Sequence, residues 1–142
     1  PCQRPRCNTC PYIDNTQTVV GPRGTYTVRG QHTCTSRNVV YCIRCRRCGK
    51  LYIGETKRRL GDRFAEHLRS VRQRMEALTV AQHFNAVPHS IDDMSVCVLM
   101  RASSETQRKE TEQRVIFKLG TLCPGGMNVE FSAFVQNSLS LP

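Results

Sequence analysis

Tryptophan is absent from this 142-residue sequence, aromatic residues make up only 6% of it, and its 11 acids are outnumbered by 21 lysines and arginines. So few aromatics argue against a single-strand binder that stacks bases on aromatic platforms. The shortage of acids leaves a net charge of +10. That suits a polyanionic partner, because lysine and arginine displace counterions from phosphates. A basic, well-solvated surface is the plain alternative. No apolar run approaches the roughly 18–20 residues that span a membrane, and no signal-peptide pattern is present, so the chain is expected to be soluble. Methionine does not stand first. Pro1 does, and the sequence reads as a piece of a longer polypeptide. Internal repeats are also missing. The length suits about one domain with one modest core.

Cysteine is what the chain has in excess, with nine residues. The odd count, the missing signal and the C-x2-C spacings favour metal ligation in a reducing compartment over disulfides. Cys2, Cys7 and Cys10 form a ligand-like knuckle, and Cys34 can close a tetrahedral, all-cysteine zinc site. Such a site would staple residues 1–37, a cysteine-rich lead with a β-hairpin around Val19–Val28 and too few apolar residues for its own core. His32 is a rival ligand that would leave Cys2 free. Cys45 and Cys48 straddle a turn, as a half-filled knuckle or a mere pair of thiols. Cys42 is expected in the core, and Cys97 and Cys123 are expected to be buried apolar residues.

The patterning predicts an α+β fold, a small antiparallel β-sheet flanked by helices, preceded by the zinc-stapled hairpin lead. Strands are expected from Asn38 to Ile43 and from Leu51 to Gly54, joined by a polar turn. Val39, Tyr41 and Ile43 then share one face, and Tyr52 lies in the row beside Tyr41. Helical spacing runs from Lys57 to about Met75. A short helix is expected over Thr79–Phe84, a buried strand over Met94–Met100, and a last helix from Ser103 or Ser104 to Gly120. The core spans 38–130, and the serine-rich tail 131–142 has no legible structure.

Three residues break the apolar pattern. Glu112 falls on the inward stripe with Val115, Ile116 and Leu119, where a carboxylate is costly unless paired or bound to a cation. The alternatives are a salt bridge to Arg108 or a metal-binding, catalytic role. Arg63 and His67 share the inward face of the first helix with Leu60 and Phe64. A lone histidine there would usually be a satisfied core residue, but a guanidinium beside it suits phosphate oxygens. Arg63, His67 and Glu112 facing a sheet that bears Tyr41 and Tyr52 would suit phosphate ester hydrolysis. Lys57, Arg58, Arg59, Arg69 and Arg72 flank that inward face and are the candidate nucleic-acid contacts.

Val39-Val40-Tyr41 and Tyr52-Ile53-Gly54, followed by Arg63, His67, Glu112 and Asn128 in order, resemble the motif series of GIY-YIG nucleases over residues 38–128. The YIGET string, the Glu66-His67 pair and the cysteine-rich lead further resemble the endonuclease domain of Penelope-like retroelements. Val39-Val40 stands where the family's name has glycine and isoleucine. The resemblance implies single-metal DNA hydrolysis. Glu112 would hold Mg2+ or Mn2+. Tyr41 would take the proton of the attacking water, helped by Tyr52 or His67. Arg63 would stabilise transition-state charge, and Asn128 would order the site. It also implies fusion to a reverse transcriptase and a nuclear or otherwise intracellular setting. Two other readings stand beside it: a non-catalytic zinc-containing nucleic-acid-binding module, and an interaction domain on an inactive nuclease scaffold.

Overall fold

The computed structural model describes Cys2 and residues 7–129, so the 131–142 tail lies outside the described residues. Its elements are β1 (Thr18–Val20), β2 (Thr25–Thr27), β3 (Val39–Cys45), β4 (Leu51–Thr56), α1 (Leu60–Arg72), α2 (Thr79–Asn85), β5 (Met94–Arg101) and α3 (Glu105–Leu119). The result is the expected α+β architecture. A three-stranded antiparallel sheet has the order β4-β3-β5, and β1 pairs with β2 as a separate hairpin.

β3 lies in the middle and is buried on both faces, and its period-2 pattern divides the core. Val39, Tyr41, Ile43 and Cys45 pack against Leu60, Phe64, Leu68 and Val71 of α1 and Val80 and Phe84 of α2. Val40 and Cys42 face the opposite way, onto Val115, Ile116 and Leu119 of α3 and Val19 of the hairpin. α1 begins at Leu60 rather than Lys57, because the Thr56 hydroxyl accepts the Arg58 N–H at 3.0 Å and holds residues 56–59 in a turn. α3 is capped by Ser104, whose hydroxyl accepts from the Gln107 N–H. It stops at Gly120, whose φ of 71° lies in the left-handed region that suits glycine.

Both outer strands are covered. Along β5, the Asp14 N–H donates to the Val96 carbonyl at 2.8 Å and the Arg29 N–H to Leu99 at 3.0 Å. Along β4, the Met127 N–H donates to the Leu51 carbonyl at 2.8 Å, and the Asn128 carboxamide takes both backbone groups of Ile53 at 2.9 Å each. The hairpin is strapped to α3 by the Arg23 N–H donating to Leu119 and by Lys118 lying over the Tyr26 ring. One expectation is corrected: Cys97 is buried, but Cys123 is exposed. The loop after α3 turns Thr121, Met127 and Asn128 inward and leaves Cys123 facing out.

Candidate active site

Tyr41 sits at the centre of β3 and has no exposed surface. Its cross-strand partner is Gly54, where a Cβ would overlap the Tyr41 ring and hydroxyl. The glycine of the YIG string is thus what lets the phenol lie across β4. A bulge between Val40 and Tyr41 in the pairing with β5 re-aims the strand at this position. The Tyr41 hydroxyl lies 2.8 Å from His67 Nε2. That buried hydroxyl needs an acceptor, and Nε2 supplies one, so the phenol donates and the ring's proton sits on Nδ1. The Tyr52 ring meets His67 edge-on, with centroids 5.4 Å apart.

The electrostatics fix the resting protonation. Burial, then the Arg63 charge, lowers His67 to about 3, so the imidazole is neutral. Burial, with Tyr52 adding to it, pushes the Tyr41 phenol well above its ordinary value, and Arg63 offsets only part of that. Tyr52 is raised by burial too. Burial raises the Glu112 carboxyl to about 7, despite the 2.7 Å hydrogen bond donated by Gln113 Nε2. Arg63 and Glu112 each act on both tyrosines, which brings the five inward groups of the two helices and the sheet into one electrostatic site.

The salt-bridge alternative for Glu112 is not what forms. Arg108, with its side chain only 5% exposed, pairs through Nε with Glu55 Oε2 and donates from Nη1 to Asn38 Oδ1 at 3.1 Å. Glu55, the acid of the YIGET string, was missed from sequence. Its charge helps raise Glu112. Glu112 therefore has no ion pair of its own among the described residues, and the Gln113 hydrogen bond with the Arg63 and Arg108 charges only partly offsets its burial. That donor fits a hard divalent cation. Arg63 Nη1 donates to Glu66 Oε1 at 3.0 Å, and Arg58 Nη2 holds the same oxygen at 2.6 Å. Asn128 accepts from Thr121 and Ile53 while donating to Ile53. Its carboxamide anchors β4 at Ile53, the residue after Tyr52. Of the basic residues, Arg58 and Arg59 are engaged with Glu66 and Asp62. Lys57, Arg69 and Arg72 are exposed, with no ion pair among the described residues.

The zinc ligands predicted in the lead come together. Cys2, Cys7, Cys10 and Cys34 place their sulfurs within 4.8 Å of one another, with contacts of 3.5–3.8 Å. A tetrahedron with zinc–sulfur arms of about 2.3 Å has edges of about 3.8 Å, so the four thiols fit zinc. His32 does not join them: its Nε2 contacts the Arg29 carbonyl at 2.7 Å. A second cluster joins Cys45 and Cys48 to His83 and His89, also within 4.8 Å. His89 Nδ1 donates to the Ala86 carbonyl, which leaves Nε2 bare, buried and without a partner. His83 Nε2 lies 3.4 Å from Cys48 Sγ. In both C-x2-C turns, backbone N–H groups two and three residues on point at the first sulfur, Cys7 or Cys45. The half-filled knuckle thus has its other half. The two histidines were missed, although their H-x5-H spacing matched a ligand pattern.

His67 gives the fold a pH dependence. Between about 3 and 6.5 the unfolded chain binds a proton that the folded chain refuses, so this contribution is lost as pH falls through that window. It is on the order of 3–5 kcal/mol. Glu112 acts oppositely, because its raised value lets the folded chain hold a proton between 4.5 and about 7. His67→Gln should therefore lose less melting temperature than wild type between pH 7 and 4. Equal losses in scans of both proteins would refute the buried neutral imidazole.

No family model and no curated protein matches the chain. Among solved structures, the catalytic domain of the homing endonuclease I-TevI is similar in fold. Its TM-score is 0.53 at 16% identity, over 65% of this chain and 97% of that one. At that identity the likeness is one of fold. Among the described residues, no helix is long and apolar enough to cross a membrane.

Proposed function

We propose that the chain is a GIY-YIG-type DNA endonuclease that hydrolyses phosphodiester bonds with one divalent cation, Mg2+ or Mn2+, and carries structural zinc. The observation that carries this reading is the buried Tyr41–His67 hydrogen bond beside Arg63 and a Glu112 whose burial is only partly offset. The I-TevI likeness supports it by fold. The YIGET string and cysteine-rich lead support a retroelement endonuclease module fused to a reverse transcriptase. A nuclear or otherwise intracellular setting follows from that substrate. The three regions 1–37, 38–130 and 131–142 are proposed as zinc-bearing lead, nuclease core and tail.

Glu112 would hold the cation, which neutralises phosphate charge and favours departure of the leaving oxygen. Tyr41 accepts the proton of the attacking water while passing its own to His67 Nε2, so the phenol ends the step unchanged. Such a relay avoids a free phenolate, which burial opposes. Burial and Arg63 oppose the imidazolium, and a phosphate against Arg63 screens that second cause. Arg63 neutralises charge that grows on the phosphate oxygens. Tyr52 and Asn128 position this group of side chains.

Nicking of supercoiled plasmid by the purified chain with Mg2+ is the test. Salt-sensitive DNA binding without nicking would instead identify a non-catalytic zinc module, the reading that the two cysteine clusters also suit. The basic residues divide further. Arg69→Ala or Arg72→Ala should flatten the salt dependence of DNA affinity by about 0.9 each, the worth of one phosphate contact. Arg59→Ala should change it less, because Asp62 already engages that guanidinium. Slopes unchanged from wild type in all three variants, measured by fluorescence anisotropy, would remove α1 from the interface.

A further inference from the structure

α1 and α2 enclose a cavity of about 430 Å3, with the 73–78 loop between them. Its size falls within the range of about 300–1,000 Å3 typical of small-ligand pockets. One wall is made by Tyr52, Arg63 and His67, so the cavity opens directly on the candidate active site. The far wall holds Met75 and Leu78, each 46% exposed, large apolar side chains that folding leaves uncovered. Arg69 and Gln73 line it as well. The Ser70 and Thr79 hydroxyls there already donate, to the carbonyls of His67 and Met127, and keep lone pairs free. The Glu66 charge is balanced by Arg58 and Arg63.

We propose that this cavity receives one unstacked nucleobase of the DNA strand, belonging to the nucleotide next to the phosphate held at Arg63. A base is the occupant that uses the whole lining. Its flat faces suit Met75 and Leu78, the kind of side chains that wedge between base steps. Its edge suits Gln73, an exposed carboxamide offering a donor and an acceptor together, as glutamine does to adenine. Its backbone supplies an anion to Arg69, which has no ion pair among the described residues, and to Arg63 beside it. A purely apolar ligand would leave the Arg69 cation unmatched, and an acidic peptide would leave the apolar wall unused. The cavity would thus set which sequence is cut, while Tyr41, His67 and Glu112 do the cutting.

The inference rests on the nuclease reading, and the test separates the two. 2-Aminopurine, whose fluorescence is quenched by stacking, is moved one position at a time through a duplex that wild type nicks. The duplex is bound by the Glu112→Gln chain. Emission should rise at one position beside the cut, and adding Met75→Ser or Leu78→Ser should return it to the free-duplex level in a protein that still melts cooperatively. Gln73→Ala, at an exposed position, should weaken the preference for one base there by roughly 5- to 150-fold, the worth of one bidentate contact. Nicking by wild type with no rise at any position, or with Gln73→Ala preferences unchanged, overturns the cavity's role and leaves the nuclease reading intact. No nicking at all overturns both.

Discussion

Glu112→Gln is expected to melt no lower than wild type at pH 8 and to nick DNA at background rate. Both halves follow from one position. Helical periodicity turns Glu112 inward beside Val115 and Ile116, while Arg108, the base on its own face, is taken by Glu55. Burial then raises the carboxyl to about 7. Its folded form holds a proton between 4.5 and about 7, so stability falls as pH rises through that window. The carboxamide keeps the shape and the Gln113 contact region but has no charge to desolvate. The variant should gain up to about 3 kcal/mol at high pH, an order-of-magnitude figure. Mg2+ should raise the melting temperature of wild type and leave the variant unmoved.

Arg63→Ala separates the roles. Cleavage should drop by roughly 10²–10³, as for one lost charge-stabilising donor. The melting shift with Mg2+ should persist, because a guanidinium offers no lone pair to a cation. Melting scans with and without Mg2+, beside plasmid nicking, decide the matter. If both variants stay folded and nick near the wild-type rate, the catalytic assignment is wrong. If Glu112→Gln unfolds, the carboxylate is structural.

Wild type purified without chelators should carry two zinc ions, and Cys10→Ser and Cys48→Ser should each lose one. Structural zinc in small domains contributes on the order of 10–16 kcal/mol of binding free energy, much of it folding free energy. The lead depends on that source, since it supplies few buried apolar side chains, chiefly Val19 and Cys34. Cys10→Ser should therefore open residues 1–37 to protease while the core still melts cooperatively. Cys48→Ser should open the 45–50 turn and the 86–93 segment. Elemental analysis with limited proteolysis reads both effects. One zinc ion per wild-type chain would reduce the second cluster to a thiol–imidazole contact, and none would refute both sites.

The sequence carried most of what local period encodes. Alternation in VVYCIRC placed Tyr41 and Ile43 on one face, and 3.6-residue spacing placed Arg63, His67 and Glu112 inward. Cys2, Cys7 and Cys10 were legible because their ligand spacing is local, and Cys34 because it stands beyond a hairpin that returns the chain. What escaped depends on contacts between distant elements. Arg108 lies at the right spacing to be inward, but only the packing of α3 on β4 shows that Glu55 is its partner. His83 lies within a seven-residue helix and His89 just beyond it, and nothing local says that this helix docks against the β3–β4 turn. Cys123 was misjudged because apolar character alone does not tell which side of a short loop faces solvent.

The coverage of β5 ties solubility to the metal knuckle. The residues that lie along this strand, Ile13 and Asp14, follow Cys10 by only three and four positions. A lead that loosens at its thiols would peel away and bare a row of unpaired N–H and C=O groups, a template for another chain to pair with. β4 would stay protected, because its cover comes from Met127 and Asn128 at the opposite end of the chain. Metal loss would thus make the molecule one-sidedly adhesive before it unfolds, and pairs joined along β5 would precede larger aggregates.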